Sequence, residues 1–305
     1  MRGIELARGF FTEECLPRLR REVPGVLEYL AAGLVGEGSE CFGYDDYISR
    51  DHDWGPGFCL WLPERCMKQY AVALREILAS MPEEYGGFKT RNLVSSPRLG
   101  LWSIEAFYSS LIICPGVPQN PEQWFFCPAS GLAAAVNGEV FLDNLGEFTA
   151  VRNSLLGFYP EDIRLWLLAK RCALAAQTGQ YNYLRCLRHG ETATAEIIKG
   201  RYAENAMAAL FLLEKKYMPF YKWSLRALRE LPEQSSAART VESIMNARGY
   251  EAIEPIESLS AQIISRLGAE GLSWGESSFL MDHCGSIMGK IKDEAIRRKG
   301  ITLDF

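Results

Sequence analysis

Two aspartates, Asp51 and Asp53, stand one residue apart, and a glycine-serine pair, Gly38-Ser39, lies a short way before them. These residue types at this spacing suit a nucleoside triphosphate and its metal. On a strand, alternate residues share a face, so Asp51 and Asp53 would project together. Carboxylates so placed repel one another unless a cation lies between them. Oxygen-only ligation suits Mg²⁺, with Mn²⁺ as the substitute, because that ion keeps waters and takes phosphate oxygens into its shell. Gly38 has no Cβ to keep backbone away from a phosphate. A helix starting at Glu40 would turn its free N–H groups and positive dipole end to the same anion, with Ser39 as its cap. Metal-bridged phosphoryl or nucleotidyl transfer is the chemistry that follows.

The elements that must position these groups are visible around them. The apolar run Leu30 to Val35 reads as a strand, and Gly36-Glu37-Gly38-Ser39 as the turn that leaves it. A second strand would open on Asp51-His52-Asp53 and continue through the apolar run Phe58 to Leu62. His52 would face away from the aspartates on such a strand, as a packed residue rather than a ligand.

The run GSECFGYDDYISRDHDWG resembles the nucleotidyltransferase superfamily, whose signature is Gly-Ser followed by Asp-x-Asp. It is most similar to a bacterial family of uncharacterised nucleotidyltransferase-like proteins, a domain of unknown function, with a GS…GYDD…SRDHD run. VFLDNLGEFTAVRNSLLGFYP (140–160), GQYNYLR (179–185) and LEKKYMPFYKWSLRAL (213–228) carry the likeness further, so that it covers most of 25–235. It implies the layout of aminoglycoside-type adenylyltransferases, a catalytic α/β domain followed by a helical one. It also implies ATP as the default donor and places Lys222 within the family pattern.

Such proteins usually carry a third carboxylate on a neighbouring strand. The expected strand, Ser96 to Ser103, has Gly100 where that acid belongs. Glu105 and Asp143 are the nearest substitutes. Each has a plainer reading, Glu105 in the first turn of a helix and Asp143 in a strand-end turn.

The rest of the chain supplies secondary candidates. Pro219 would end one helix and start the next, a bend that aims Lys222 at a triphosphate. Lys215 and Lys216 read as solvated at a helix end. In GQYNYLRCLR, Tyr181, Tyr183, Arg185 and Arg188 would stack on a base and pair with phosphate; Tyr181 and Arg185 share a helical face, as do Arg185 and Arg188, or else Arg185 bridges helices. His189 and His283 have no neighbours suggesting a metal site. Asp46 and Arg50 read equally as an ion pair and as substrate contacts.

The fold expected is α+β: a nucleotidyltransferase-like mixed sheet with flanking helices over 1–147, then an all-α helical bundle over 148–305. Helices are expected at 4–29, from Pro63-Glu64 to Ser80, at Ile104 to Leu111, and at 148–157, 160–178, 180–189, 191–216, 219–231, 236–247, 256–268 and 274–298. Residues 114–130, with four prolines, read as loop, and 138–143 as an edge strand or hairpin. The 305 residues suffice for two cores, and 48% hydrophobic with 23% charged residues is ordinary for a globular chain. The net charge of −5 argues against a general nucleic-acid surface. The nine cysteines form no CxxC pair, so the expectation is reduced thiols and a cytoplasmic protein without a signal peptide or membrane span. The C-terminal helices would close the bundle, shape an acceptor pocket or form a homodimer surface. The function expected is Mg-dependent transfer of a nucleoside monophosphate, AMP from ATP by default, to a hydroxyl of a small molecule or protein, with RNA disfavoured. The rival is a nucleotide-binding or interaction protein that keeps the fold without turnover. A third reading, the antitoxin-like role of minimal nucleotidyltransferases, is opposed by the helical half.

Overall fold

A computed structural model describes residues 2–51 and 54–302, with the Asp51 side chain left out. The chain divides into two compact units, one ending at Gly157 and the other starting at Phe158.

The first unit is α+β. Helices α1 (Gly3–Phe10) and α2 (Leu16–Glu22) are joined by the π-helical turn Phe11–Cys15. Strand β1 (Ala31–Leu34) follows, then the one-turn helix α3 (Ser39–Phe42) and a 3-10 turn, Ile48–Asp51. Strand β2 (Cys59–Leu62), helix α4 (Glu64–Ala79) and the small hairpin β3 (Glu84–Tyr85) and β4 (Phe88–Lys89) come next. Strand β5 (Gly100–Ser103), helices α5 (Ile104–Ile112), α6 (Pro121–Phe126) and α7 (Ala129–Ala135), strand β6 (Glu139–Asp143) and helix α8 (Glu147–Leu156) complete the unit.

The main sheet has four strands in the order β5-β2-β1-β6. Only the β2–β5 pair is parallel, with Cys59 opposite Gly100 and Leu62 opposite Ser103. A parallel pair needs a long crossover, and α4 with the β3–β4 hairpin supplies it. β1 and β2 are wholly buried, which suits their near-continuous apolar sequences. Trp61 of β2 stacks on Phe148 of α8 at 4.0 Å between ring centres and meets Phe107 of α5 edge-on at 5.1 Å, anchoring α5 and α8 to the sheet.

Two expectations are corrected here. Residues 114–130 are not loop throughout: Pro121 begins α6 behind the Asn120 cap, whose Oδ1 accepts from the Gln123 N–H at 2.9 Å, and Pro128 precedes α7. Proline suits a first helical turn, where its missing N–H has no partner to lose. Asp51, expected to open a strand, ends the Ile48–Asp51 turn, and among the described residues β2 spans Cys59–Leu62.

The second unit is helical: α9 (Glu161–Ala175), α10 (Leu184–Arg188), α11 (Thr192–Leu213), α12 (Tyr221–Glu230), α13 (Ser235–Asn246), α14 (Ile253–Ala269), α15 (Leu280–Gly289) and α16 (Glu294–Arg298). A π-helical stretch, Ala176–Tyr183, makes α9 and α10 continuous where two separate helices were expected. Its Gly179 admits the Tyr202 ring of α11, which lies 2.1 Å from where a Cβ would start. The Tyr202 hydroxyl donates to the Ile256 carbonyl at 2.7 Å, tying α11 to α14. The helix expected over 274–298 is broken between α15 and α16, where Asp293 caps α16. Among the described residues no strand follows Asp143, and no helix is long and apolar enough to cross a membrane.

Candidate functional site

The cleft of interest lies in the first unit, at the end of β1. Gly36, Glu37 and Gly38 of the turn line it, together with Glu40, Arg91 and Arg98. The turn is fixed by the link into the neighbouring strand, β6. Asn137, in the link from α7 to β6, accepts from the Gly36 N–H at 2.9 Å and donates to the Gly36 carbonyl at 2.6 Å. Arg152 of α8 in turn donates to the carbonyls of Val136, Asn137 and Gly138.

Gly38 is the N-cap of α3, and Ser39 is its first helical residue rather than its cap. The Ser39 hydroxyl instead lies 3.4 Å from Glu40 Oε2. Because α3 is a single turn, its dipole adds little to an anion site. What replaces it is a guanidinium. Arg91 donates to Glu40 Oε1 at 2.8 Å, with only 7% and 5% of the two side chains exposed. The Glu40 carboxylate packs against Gly38, 2.6 Å from where a Cβ would stand, so any side chain at 38 would collide with it.

Neither substitute for the third carboxylate is free. Glu105 Oε2 accepts from the Glu64 N–H at 3.0 Å and caps α4. Asp143 accepts from the N–H groups of Gly146 and Thr149 at 2.9 and 2.8 Å and caps α8. Gly100 has φ +83°, and a Cβ there would stand 1.8 Å from the Leu93 carbonyl oxygen. Backbone geometry therefore demands glycine at 100.

In the segment leading to Asp51, Asp46 Oδ1 accepts from the N–H groups of Ile48 and Ser49 at 2.9 and 3.0 Å, which winds the 3-10 turn. Arg50 lies over the rings of Trp54 and Phe88 at 4.9 and 5.4 Å. Asp45 accepts from the Gly3 N–H at 2.7 Å and from Trp54 Nε1 at 3.1 Å, fastening α1 to this segment. Asp51 and Asp53 are the metal ligands expected from sequence. Asp53, His52 and the Asp51 side chain lie outside the described residues. Among the described residues no group of three or more His, Cys, Asp or Glu is placed to hold a metal ion. Burial pushes the Cys59 thiol up to about 12 and the Cys41 thiol well above its ordinary value, so both stay neutral at ordinary pH. Oxygen donors remain, and those suit Mg²⁺.

Lys222 and Arg185 belong to the second unit. Lys222 is an exposed residue in the first turn of α12, with Nζ over the Trp223 ring at 4.9 Å. Residues 214–220 separate it from α11, so Pro219 lies in a linker rather than at a direct helix junction. Arg185 is exposed, 5.1 Å from the centre of the Tyr181 ring, on the shared helical face expected. Lys215 sits in the linker at φ 51°. His283 is buried and bonded to Ser273 Oγ at 2.7 Å and the Ser277 carbonyl at 2.8 Å, a structural role.

Sequence reasoning missed Glu40, Arg91, Arg98 and Asn137. Glu40 adjoins the Gly-Ser pair, and Asn137-Gly138 carries a turn signal, but nothing local joins either to its distant partner.

Residues 124–224 match a family model described as a domain of unknown function, DUF4037. The matched stretch contains Arg185 and Lys222 and leaves out Gly38, Ser39, Asp51 and Asp53. No curated protein matches the chain. A solved structure of a nucleotidyltransferase-like protein from Exiguobacterium sibiricum is similar over 92% of this chain and 91% of that one, at 12% identity and a TM-score of 0.39. A likeness of that degree leaves the chemistry to be read from this chain's own residues.

Proposed function

We propose that the chain is a Mg²⁺-dependent nucleotidyltransferase that moves a nucleoside monophosphate, AMP from ATP by default, to an acceptor hydroxyl. The observation that carries this reading is the glycine turn at the end of β1, clamped by Asn137 and opening on a cleft with two guanidiniums, Arg91 and Arg98. Rigid backbone without side chains, beside planar cations, is what outer phosphates require. Asp51 and Asp53 are the residues that would hold Mg²⁺, which would supply Lewis-acid stabilisation of the charge developing on the phosphates. Gly38 and Ser39 would orient the phosphates, and Lys222 and Arg185 are the cations of the second unit proposed to contact phosphate. A small molecule is the favoured acceptor, then a protein side chain.

One observation favours a second reading, nucleotide binding without turnover. Gly100 cannot be replaced by an acid without moving Leu93, and Glu105 and Asp143 are committed to helix caps. No general base therefore stands at any of the three positions where one is expected. Incubating the full chain with Mg²⁺, labelled ATP and pools of hydroxyl-bearing acceptors separates the two. Metal-dependent labelled product supports transfer. ATP binding without product from any pool supports the second reading.

A further inference from the structure

The Glu40–Arg91 pair is an expensive way to fill a cleft wall. Taking both charges out of water costs more than an apolar pair of the same volume would. It does hold a guanidinium in one place. The Arg91 backbone N–H donates to the Pro56 carbonyl at 2.9 Å. Its stem lies against Gly57, 3.3 Å from where a side chain there would begin. Arg91 therefore links the segment around Pro56 and Gly57 to α3.

Among the described residues lining the cleft, two acids, Glu37 and Glu40, stand with two guanidiniums, Arg91 and Arg98. The carboxylate facing Arg91 is the one packed against Gly38, so the chain's own anion stands at the turn. The space within the cleft is about 120 Å³, which suits a phosphate group and a few waters, with a larger ligand extending outward. Glu40 sits in a one-turn helix between Gly38 and Gly43, so moving it disturbs few backbone bonds.

We propose that Arg91 is the anion-binding residue of this cleft, that Glu40 occupies it in the ligand-free protein, and that a phosphate group displaces the Glu40 carboxylate from the guanidinium. A phosphate offers the guanidinium fork the same pair of oxygens as a carboxylate and a larger charge. That the phosphate is the end of a nucleoside triphosphate rests on the function proposed above. The exchange itself rests on the cleft.

The test is calorimetric titration of the full chain with pyrophosphate, without metal. Glu40→Gln keeps the shape and removes the competing charge, so it binds pyrophosphate about tenfold more tightly than wild type. Arg91→Gln abolishes binding, and Arg91→Lys, a charge without the fork, keeps part of it. Arg91→Gln alone leaves Glu40 buried and unpaired, so the double variant Glu40→Gln/Arg91→Gln is the control: it melts close to wild type and still binds no pyrophosphate. Glu40→Gln binding no tighter than wild type overturns the proposal, as does pyrophosphate binding by the double variant. The same series titrated with Mg²⁺-ATP separates the two readings. Failure of ATP, with pyrophosphate following Glu40 and Arg91 as stated, overturns the nucleotide reading alone. ATP binding indifferent to Arg91 overturns this one alone.

Discussion

Asn137 closes both main-chain hydrogen-bonding groups of Gly36, a residue 101 positions earlier, with one side-chain amide. The turn after β1 is thereby held by the link that enters β6, the strand beside β1. Replacing Asn137 by Ala removes two partly buried bonds and costs about 2 kcal/mol of stability. It also lowers Mg²⁺-ATP affinity, because the loosened turn must be ordered on binding. Urea denaturation and calorimetry read the two effects. Full stability in Asn137→Ala would show that the clamp is not needed.

Gly100→Ala is the sharpest test of the sheet. It combines φ +83° with a contact of 1.8 Å to the Leu93 carbonyl, so about 3 kcal/mol or more is lost. Gly100→Asp does the same and creates no activity, since the strand must shift before the acid fits. A stable, more active Gly100→Asp protein would contradict this.

Glu105 and Asp143 are helix caps. Glu105→Ala costs about 1 kcal/mol and Asp143→Ala, with two N–H groups to satisfy, about 2 kcal/mol. Mg²⁺-ATP binding and any turnover stay within about twofold of wild type, a difference of well under 1 kcal/mol. Loss of turnover with unchanged melting would return either residue to the list of catalytic acids.

Eight cysteines are buried and Cys186 is partly exposed. Burial raises the Cys15, Cys59 and Cys284 thiols from their ordinary value of 9.0 to about 12. Each group is held neutral in the folded protein and ionises sooner once unfolded. The stability it contributes is complete below pH 9 and is lost progressively up to about pH 12. The denaturation midpoint therefore falls through that window. At pH 8 a thiol reagent labels Cys186 rapidly and the buried thiols only at the rate of opening. Several equivalents labelled at once would contradict the burial.

The sequence discloses elements whose cause is local. Periodicity marks α4, α5 and the long helices of the second unit, and the apolar runs mark β1 and the body of β2. It misleads where side chains redirect the backbone. Asp46 takes the N–H groups of Ile48 and Ser49, so Asp51 ends a 3-10 turn instead of opening a strand. Pro121 starts a helix where prolines suggested loop. Gly38 and the turn were legible because glycine announces close backbone approach. The Glu40–Arg91 pair was not, because its partners are 51 residues apart and Arg91 lies in a loop without a pattern of its own.

The central claim is tested most directly by calorimetric titration of ATP into the full chain, with and without Mg²⁺, on wild type and on Asp51→Asn/Asp53→Asn. The account predicts binding that needs Mg²⁺ and disappears in the double variant while its melting temperature holds. A well-folded wild type that binds no nucleotide, or a double variant that binds Mg²⁺-ATP as wild type does, would contradict it.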